Sequence, residues 1–584
     1  MGNRDFRIET QRLTPREQIR RYRVLAGEHF INLRNLWPGP ADYGGLKHSW
    51  LKDLVAGITV GVVALPLALG FGVASGAGAA AGLVTAIVAG IVAAVFGGSH
   101  LQVSGPTGAM TVVLLPVIAK YGLGVIPLLA IMGGIIVVAM AITAVGRSVE
   151  FIPFPVVEGF TMGIGVIIAL QQLPLILDAP RGTSESTLVA GWQTIQQADW
   201  SHAWQPLAVA VAVIALHLVG LRYVPKWPLA LISIIIATVA VVLMPITVDS
   251  IGALPTGLPS PRVPDFTMGM LQDLAGPALA IAALAALESL LSARVADGMR
   301  PDLSPTNPDR ELMGQGLANI ASGLFGGLPA TGAIARTAVN VRSGARTRLS
   351  SVTHAVMLLA VMLLLAPIVA TVPMAALGGV LLVTAGRMIN LRLGRTMLTV
   401  TRADRNTFLL TFAATVLLDL VAAVLLGLLM AAVMSLRHMA TYSVVARQNL
   451  PTTTMEGVVD WNAEQEHLRD AVAIFRVDGA LFYGNAQRFI DEVNDLGDRT
   501  AAVIIRCHQM RILDASGAVA LDTALRRLRR RHVIYVIQGM NNSQRRTSVL
   551  MGATQQRHHV KELSEALTWI DDELRTGVVQ TKMI

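Results

Sequence analysis

LPATGAIARTAVN, residues 328–340, sets Arg336 just behind a cluster of Pro, Thr and Gly, in a chain whose long apolar runs otherwise suit lipid. At a bilayer centre an arginine costs about 2.5–3.5 kcal/mol on insertion scales, so a favourable interaction must offset it. A second stretch has the same construction. SGPTGAMTVVLL, residues 104–115, also opens on Gly, Pro and Thr and runs into a brief helical pattern. The two fall in the third and roughly the tenth apolar segments, so each is third within its half of the chain. Short Gly/Pro-interrupted segments at matching places in two halves mark a transporter site built on inverted repeats. A helix that starts at mid-membrane leaves its first N–H groups without intrahelical partners, and the positive end of its dipole faces whatever binds there. Two such starts facing each other make an anion site, and a guanidinium one turn in adds full positive charge to it. The other reading of Arg336 is a residue near an interface that snorkels to water.

The composition points the same way. Of 584 residues, 53% are hydrophobic and only 15% charged, with a mean hydropathy of +0.57. Soluble globules carry about 25% charged residues, so these figures describe a polytopic membrane protein with a smaller soluble part. Aromatics are scarce at 5% while glycine reaches 53 residues. Small residues let helices approach closely where lipid supplies no hydrophobic force between them. Cys507 is the single cysteine, which excludes an intrachain disulfide. The N-terminal stretch is polar and Arg-rich, without an apolar run and small-residue cleavage site, so no cleaved secretory signal is expected.

A net charge of +9 and a pI near 10 would suit nucleic acid, but the basic residues follow the pattern of cytoplasmic loops. They crowd at Arg16, Arg20, Arg21 and Arg23, and recur at Arg147, Arg222 with Lys226, Arg294 with Arg300, and from Arg387 to Arg405. Between them, 178–204 and 247–275 are less basic and carry acidic residues such as Asp178, Glu185, Asp199 and Asp249. The alternation puts both termini in the cytoplasm of a cell (plasma or inner) membrane protein, with an even number of spans.

Apolar runs extend from Asp53 to near Met434. At about 20 residues per span they divide into about fourteen segments, some of them short. The clearest are 53–75, 79–97, 125–145, 226–246, 276–296 and 408–436. The chain therefore reads as an N-terminal arm (1–50), a membrane domain (51–440), a polar linker (441–466) and a soluble α/β domain (467–584). In the last, AVAIFRV (471–477), AAVIIRC (501–507) and HVIYVIQG (532–539) have strand character. SGAVALDTALRRLRRR (516–531) and SEALTWIDDELR (564–575) have helical spacing, which implies a small sheet covered by helices. The arginines from Arg526 to Arg531 read as the solvated end of a helix, not as a nucleic-acid contact.

Glu288 is the other costly residue, with apolar residues before it for two turns and Leu290 and Leu291 after it. It could pair with Arg336, take up a proton, or help hold a cation. Ser292 lies four residues on, on the same helical face, and either adds a hydroxyl to the site or bonds its own backbone. Glu158 and Asp419 read as interface or inter-helix charges, and Gly57 with Gly61 forms a GxxxG packing signal. The sequence shows no metal-ligand cluster, Walker A loop, nucleophile elbow or pair of catalytic carboxylates. GGSH (97–100) and RHH (557–559) do not make a ligand set. Neither an enzyme, a resident cofactor nor ATP-driven transport is expected.

Four stretches carry a resemblance: DLVAGITVGVVALPLALGFGVASGAGAAAGL (53–83), FGGSHLQVSGPTGAMTVV (96–113), ESLLSARVAD (288–297) and ELMGQGLANIASGLFGGLPATGAIARTAVNVRSG (311–344). They resemble the sulfate permease (SulP) family. ALFYGNAQRF (480–489) and ILDASGAVALD (512–522) are similar to the STAS domain that ends most of its members. The resemblance implies an α-helical membrane domain of fourteen spans in a seven-plus-seven inverted repeat, split into core and gate regions. It implies secondary transport of an anion by an elevator-like movement, usually in a homodimer. The anion contacts it implies are Gly105, Pro106 and Thr107 on one side and Ile334, Ala335 and Arg336 on the other, with Phe71 beside them. Ser516 matches a serine that is phosphorylated in anti-sigma-factor antagonists; its other reading is a helix N-cap. A cytoplasmic protein partner of the STAS domain is a further implication.

Departures from the family pattern bear on coupling. Many members have Pro-Gln where this chain has Pro66-Leu67. PLALGFGVASG (66–76) is closer to the bicarbonate-transporting branch, which binds sodium with Asp and Thr where Glu288 and Ser292 stand. That branch also has Thr at the place of Ile334 and no arginine at that of Arg336. A fixed cation beside a sodium site repels the ion. The expectation is secondary active transport of sulfate or bicarbonate, either proton-coupled through Glu288 or by anion exchange. The alternatives are a dicarboxylate/proton symporter, a sodium-dependent bicarbonate transporter, a passive anion channel, a sensor acting through STAS and a nucleobase permease. Arg336 counts against the last, because neutral bases need hydrogen-bond partners and not a fixed charge.

Overall fold

A two-residue antiparallel pairing between the halves organises the membrane part of this protein. The computed structural model describes residues 33–147, 153–184, 186–224, 227–244, 246–418, 420–442, 445–447, 468, 471–496, 500–551, 559–560 and 562–576. Most of the N-terminal arm, with Arg16, Arg20, Arg21 and Arg23, as well as Glu185, Lys226, Asp419, most of the linker and His558, lie outside the described residues. The chain divides into two units, one ending at Leu428 and the other beginning at Leu429.

The first half runs α1 (Leu46–Ala74), α2 (Ala79–Phe96), strand β1 (Ser104–Gly105), α3 (Gly108–Tyr121), α4 (Ile126–Ile142), α5 (Phe154–Gln171), α6 (Leu173–Leu177), α7 (Thr187–Gln197), α8 (Trp200–Tyr223) and α9 (Leu229–Leu243). The second half repeats the order of two helices, a short strand and a short helix. It runs α10 (Met268–Met299), α11 (Pro308–Leu324), β2 (Thr331–Gly332), α12 (Ile334–Arg342), α13 (Leu349–Leu364), α14 (Ala366–Val369), α15 (Met374–Met388), α16 (Leu391–Thr399), α17 (Arg402–Leu417) and α18 (Leu420–Tyr442). β1 and β2 pair antiparallel, Ser104 opposite Gly332 and Gly105 opposite Thr331. Two-fold-related copies of one motif meet in this way.

Among the described residues, seven helices are long and apolar enough to cross a membrane, and four shorter apolar ones accompany them. Besides the short α7 and α14, three further helices fall outside both groups. α11 buries Asp309, Glu311, Gln315 and Asn319, α12 has nine residues, and α17 opens on Arg402, Asp404 and Arg405. Counting apolar runs therefore does not reach fourteen by itself. The single run at 408–436 is in fact two helices, α17 and α18, with the first ending at Leu417.

Small residues set the helix contacts. A Cβ on Gly82 of α2 would overlap the Ala68 carbonyl of α1. The GxxxG of α1 faces α13: a Cβ on Gly57 would overlap the Ser350 carbonyl, and one on Gly61 would lie 2.6 Å from Met357 Sδ. Asp53 fixes the same pair of helices. It is buried and accepts from Ser49 Oγ (2.6 Å), Arg346 N (2.6 Å), Thr347 N (3.0 Å) and Thr347 Oγ1 (2.8 Å). Each buried donor left unsatisfied costs about 1–3 kcal/mol. Asp53→Ala is expected to destabilise the protein by about 3 kcal/mol or more, read as a lower unfolding midpoint in detergent.

The second unit is the α/β domain. Its elements are β3 (Val445–Arg447), β4 (Val472–Val477), β5 (Gly479–Leu481), α19 (Ala486–Asn494), β6 (Ala502–Arg506), β7 (Met510–Leu513), α20 (Ala515–Arg530), β8 (Ile534–Gln538), α21 (Asn542–Leu550), β9 (His559–Val560) and α22 (Leu563–Arg575). The main sheet has the order β3-β4-β6-β8-β9 and is parallel except for β3 against β4; β5 and β7 form a separate parallel pair. Side chains alternate across a strand, so Phe475, Ile505 and Ile537 meet the α19–α20 face, while Ile474, Ile504 and Val536 meet Leu567 and Ile570 of α22. The stretch read as linker contributes β3, which is too short to show a strand period.

Candidate functional site

Extended backbone on both sides of the β1–β2 pair places the starts of α3 and α12 at one crossing. Ala333 N donates to Val103 O (2.9 Å) and Val103 N donates to Thr337 Oγ1 (3.1 Å). The N-cap residues are Thr107 for α3 and Ala333 for α12, and neither makes a side-chain capping bond. First-turn N–H groups are thus left for other acceptors at both helix starts.

Polar side chains of α11 and α12 hold this backbone in place. Asn319 donates to Ala330 O (2.9 Å) and accepts from Ala330 N (2.8 Å). Gln315 Nε2 reaches Ser104 Oγ (2.6 Å) and Glu311 Oε1 (2.9 Å), and Glu311 accepts from Gly98 N and Ser99 N (2.8 and 2.9 Å). Asn340 Nδ2 donates to Leu101 O (2.8 Å). These bonds tie the backbone of the crossing to α11 and α12, and donors fixed in advance need no reorganisation when charge arrives. The same residues explain why α11 is too polar to read as a span.

Arg336 is buried at 1% exposure in the first turn of α12. Its Nη2 donates to Pro106 O (2.6 Å), so one half of the molecule holds the guanidinium of the other. Its Nη1 is buried and has no hydrogen-bond partner among the described residues. This is no snorkelling residue. Gly105 is required beside it, because a Cβ there would stand 2.7 Å from Nη1 and the backbone has φ +154°, a region that favours glycine. Gly105→Ala is expected to displace the guanidinium and reduce the activity of the crossing by at least about tenfold, with a backbone cost of about 1–3 kcal/mol. Activity assays beside the unfolding midpoint check both.

Glu288 of α10 faces the same crossing. Its Oε2 accepts from Thr107 Oγ1 (2.9 Å) and Thr331 Oγ1 (2.6 Å), one hydroxyl from each half, and the hydroxyls are 3.2 Å apart. Glu288 and Arg336 form no ion pair within 4 Å, so the direct pairing is not the arrangement found. The Ser292 hydroxyl donates to Thr337 Oγ1 (3.0 Å), the atom that also accepts from Val103 N, and not to its own backbone. Phe71 of α1 is buried with its ring edge 3.1 Å from the place of a Cβ on Gly108, at the first turn of α3.

The structure thus brings together Gly105, Pro106, Thr107, Glu288 and Arg336, with Phe71 alongside and Ser292 one layer back. Ile334 and Ala335 share the helix start, and both are exposed. Thr331, Thr337 and Ser289, whose Oγ accepts from Gly332 N (2.9 Å), escaped the sequence reading. For Thr331 there was a signal: Thr331-Gly332 repeats Thr107-Gly108. In the α/β unit, Asp514 caps α20 through Gly517 N (2.7 Å), so Ser516 is not the N-cap and lies exposed in the first turn. Among the described residues no group of three His, Cys, Asp or Glu is placed to hold a metal ion.

Comparisons with known proteins bear on this arrangement. The sequence model of the sulfate permease family matches residues 50–414, and that of the STAS domain matches residues 464–566. The chain is 35% identical over 498 residues to the Bacillus subtilis (strain 168) protein named "Putative sulfate transporter YvdB", covering 84% of this chain and 92% of that one. It is 30% identical over 517 residues to the bicarbonate transporter BicA of Synechocystis sp., covering 85% and 90%. The murine Slc26a9 anion transporter in its inward-facing state shares the fold, with a TM-score of 0.79 at 16% identity over 92% of this chain and 94% of that one. The helical membrane part with its crossed half-helices and the α/β unit that follows it belong to one protein type: this chain is a member of the sulfate permease family of membrane anion transporters, with a C-terminal STAS domain.

Proposed function

We propose that this protein moves a small inorganic oxyanion, sulfate or bicarbonate, by secondary active transport. The anion sits between the starts of α3 and α12, against the backbone of Gly105 to Thr107 and of Ile334 and Ala335, with Phe71 at its side. The observation that carries this reading is the buried Arg336, held by Pro106 O and keeping Nη1 without a partner at that crossing. A bound anion supplies the missing acceptor and offsets the cost of burying the charge. YvdB and BicA support sulfate and bicarbonate as the substrate classes.

Glu288 is the coupling group in this account, taking up a proton while Thr107 and Thr331 hold it. Exchange of one anion for another is the form transport takes if that proton does not move. The fixed charge of Arg336 works against a sodium ion at the same place. Residues 51–440 act as the transport domain, with fourteen spans in a core and a gate that move past each other as an elevator in a homodimer of the cell membrane. Both termini face the cytoplasm, where the STAS domain is open to a protein partner and Ser516 to phosphorylation, since a phosphate in a first helical turn meets the favourable end of the dipole.

Uptake of labelled sulfate, bicarbonate and fumarate into proteoliposomes, under an imposed proton or sodium gradient, tests the reading. Accumulation of sulfate or bicarbonate under the proton gradient, or counterflow without any gradient, is the expected result. Accumulation of fumarate would assign the protein to dicarboxylates, and sodium-driven uptake would overturn the coupling assignment.

A further inference from the structure

Away from the crossing, a recess of about 510 Å³ opens between the start of α1, the end of α10 and the turn after α12. Leu51, Lys52 and Val55 line one side, and Arg300, Gly344 and Arg346 the other. Its floor is fixed by bonds already made. Asp53 beneath it accepts from Arg346 N and Thr347 N, and Arg300 Nη1 donates to Ala345 O (2.9 Å).

The charges in the recess do not cancel. Arg300 is engaged with Asp302 through two hydrogen bonds (2.7 and 2.8 Å), which hold that carboxyl down at about 2. Asp53 is consumed by the turn. Lys52 and Arg346 are exposed, and among the described residues neither side chain makes an ion pair within 4 Å, although Arg346 also acts on the Asp302 carboxyl through space. Directly beside them α1 exposes Trp50, Leu51, Leu54, Val55 and Ile58. Two cations without a direct ion pair among the described residues, at the end of an exposed apolar helix face, fit an amphiphile whose phosphate lies over the cations and whose acyl chains run along the helix.

We propose that this recess binds a phosphate group, supplied by the headgroup of an anionic phospholipid; free phosphate shares the chemistry and is the other source. The turn that carries Arg346 continues directly from α12. Occupancy of the recess therefore steadies the helix that carries Arg336.

The test follows thermal unfolding of the full-length protein in neutral detergent during titration with phosphatidylglycerol, phosphatidylcholine or inorganic phosphate. Phosphatidylglycerol is expected to raise the midpoint and phosphatidylcholine to leave it unchanged. Each cation near a membrane surface contributes a similar small attraction, so the double variant Lys52→Gln/Arg346→Gln is expected to weaken the phosphatidylglycerol effect about thirtyfold in concentration. Arg222→Gln, at an exposed arginine near the end of α8, is expected to keep it. An equal rise with inorganic phosphate, lost in the double variant, would assign the site to a free anion and overturn the lipid source. No rise with either phosphate source would overturn the proposal, as would a rise that the double variant keeps or that Arg222→Gln also loses.

Discussion

Arg336→Ala is expected to weaken anion binding by about 10- to 150-fold, the range that corresponds to losing a hydrogen bond to a charged group worth about 1.5–3 kcal/mol. The direction of the accompanying stability change separates a binding role from a structural one. The guanidinium is buried, and among the described residues its only hydrogen bond goes to Pro106 O and Nη1 has no acceptor. A residue kept for the fold would lower the unfolding midpoint when removed. A residue kept for an anion costs the protein stability until the anion binds, so Arg336→Ala and Arg336→Met should unfold no lower than the parent in anion-free buffer. They should also lose the stabilisation that added substrate gives the parent. Arg336→Lys is expected to rescue only weakly, because an ammonium is a point charge and cannot hold Pro106 O and an anion with the fixed fork of a guanidinium. Substrate-dependent thermal shifts and uptake on the same preparations check all three variants.

Glu288→Gln should abolish proton-driven accumulation and leave exchange in place. The amide oxygen still accepts from the Thr107 and Thr331 hydroxyls, so the crossing keeps its shape, but the side chain no longer takes up a proton. In proteoliposomes the internal anion concentration is then expected to rise only to equilibrium under a proton gradient, whereas preloaded vesicles continue to exchange. If the parent itself accumulates nothing, while both parent and variant exchange at one rate, Glu288 is a positioning residue and transport is uncoupled from protons. Loss of exchange together with accumulation, with an unchanged unfolding midpoint, would place the carboxylate charge in anion binding itself.

The features of the site that could be read from sequence share a physical reason. Charges are expensive in lipid, so Arg336 and Glu288 stand out against apolar neighbours, and Gly/Pro clusters stand out against helix formers. Those contrasts suffice to pair α3 with α12 from the sequence. Neutral polar residues carry no comparable penalty, and their partners are set by tertiary contacts from tens to hundreds of residues apart. Gln315 reaching Ser104, and Ser292 bonding Thr337, could not be assigned from spacing. The β1–β2 pair has two residues on each side, below the length at which strand alternation shows. α11 was similarly hidden as a span, because its buried Glu311, Gln315 and Asn319 serve the crossing and lower its apolar content. In the α/β domain the nearly continuous apolar strands β4, β6 and β8 were legible, whereas the cap of α20 was misplaced by two residues, from Asp514 to Ser516.

Difference density between crystals grown with and without the transported anion tests the central claim most directly. The account predicts one ordered anion at the crossing of α3 and α12, within hydrogen-bond distance of Arg336 Nη1 and of first-turn N–H groups from both helices. An anion bound elsewhere in the membrane domain, with the crossing unchanged and Nη1 still unpartnered, would contradict it.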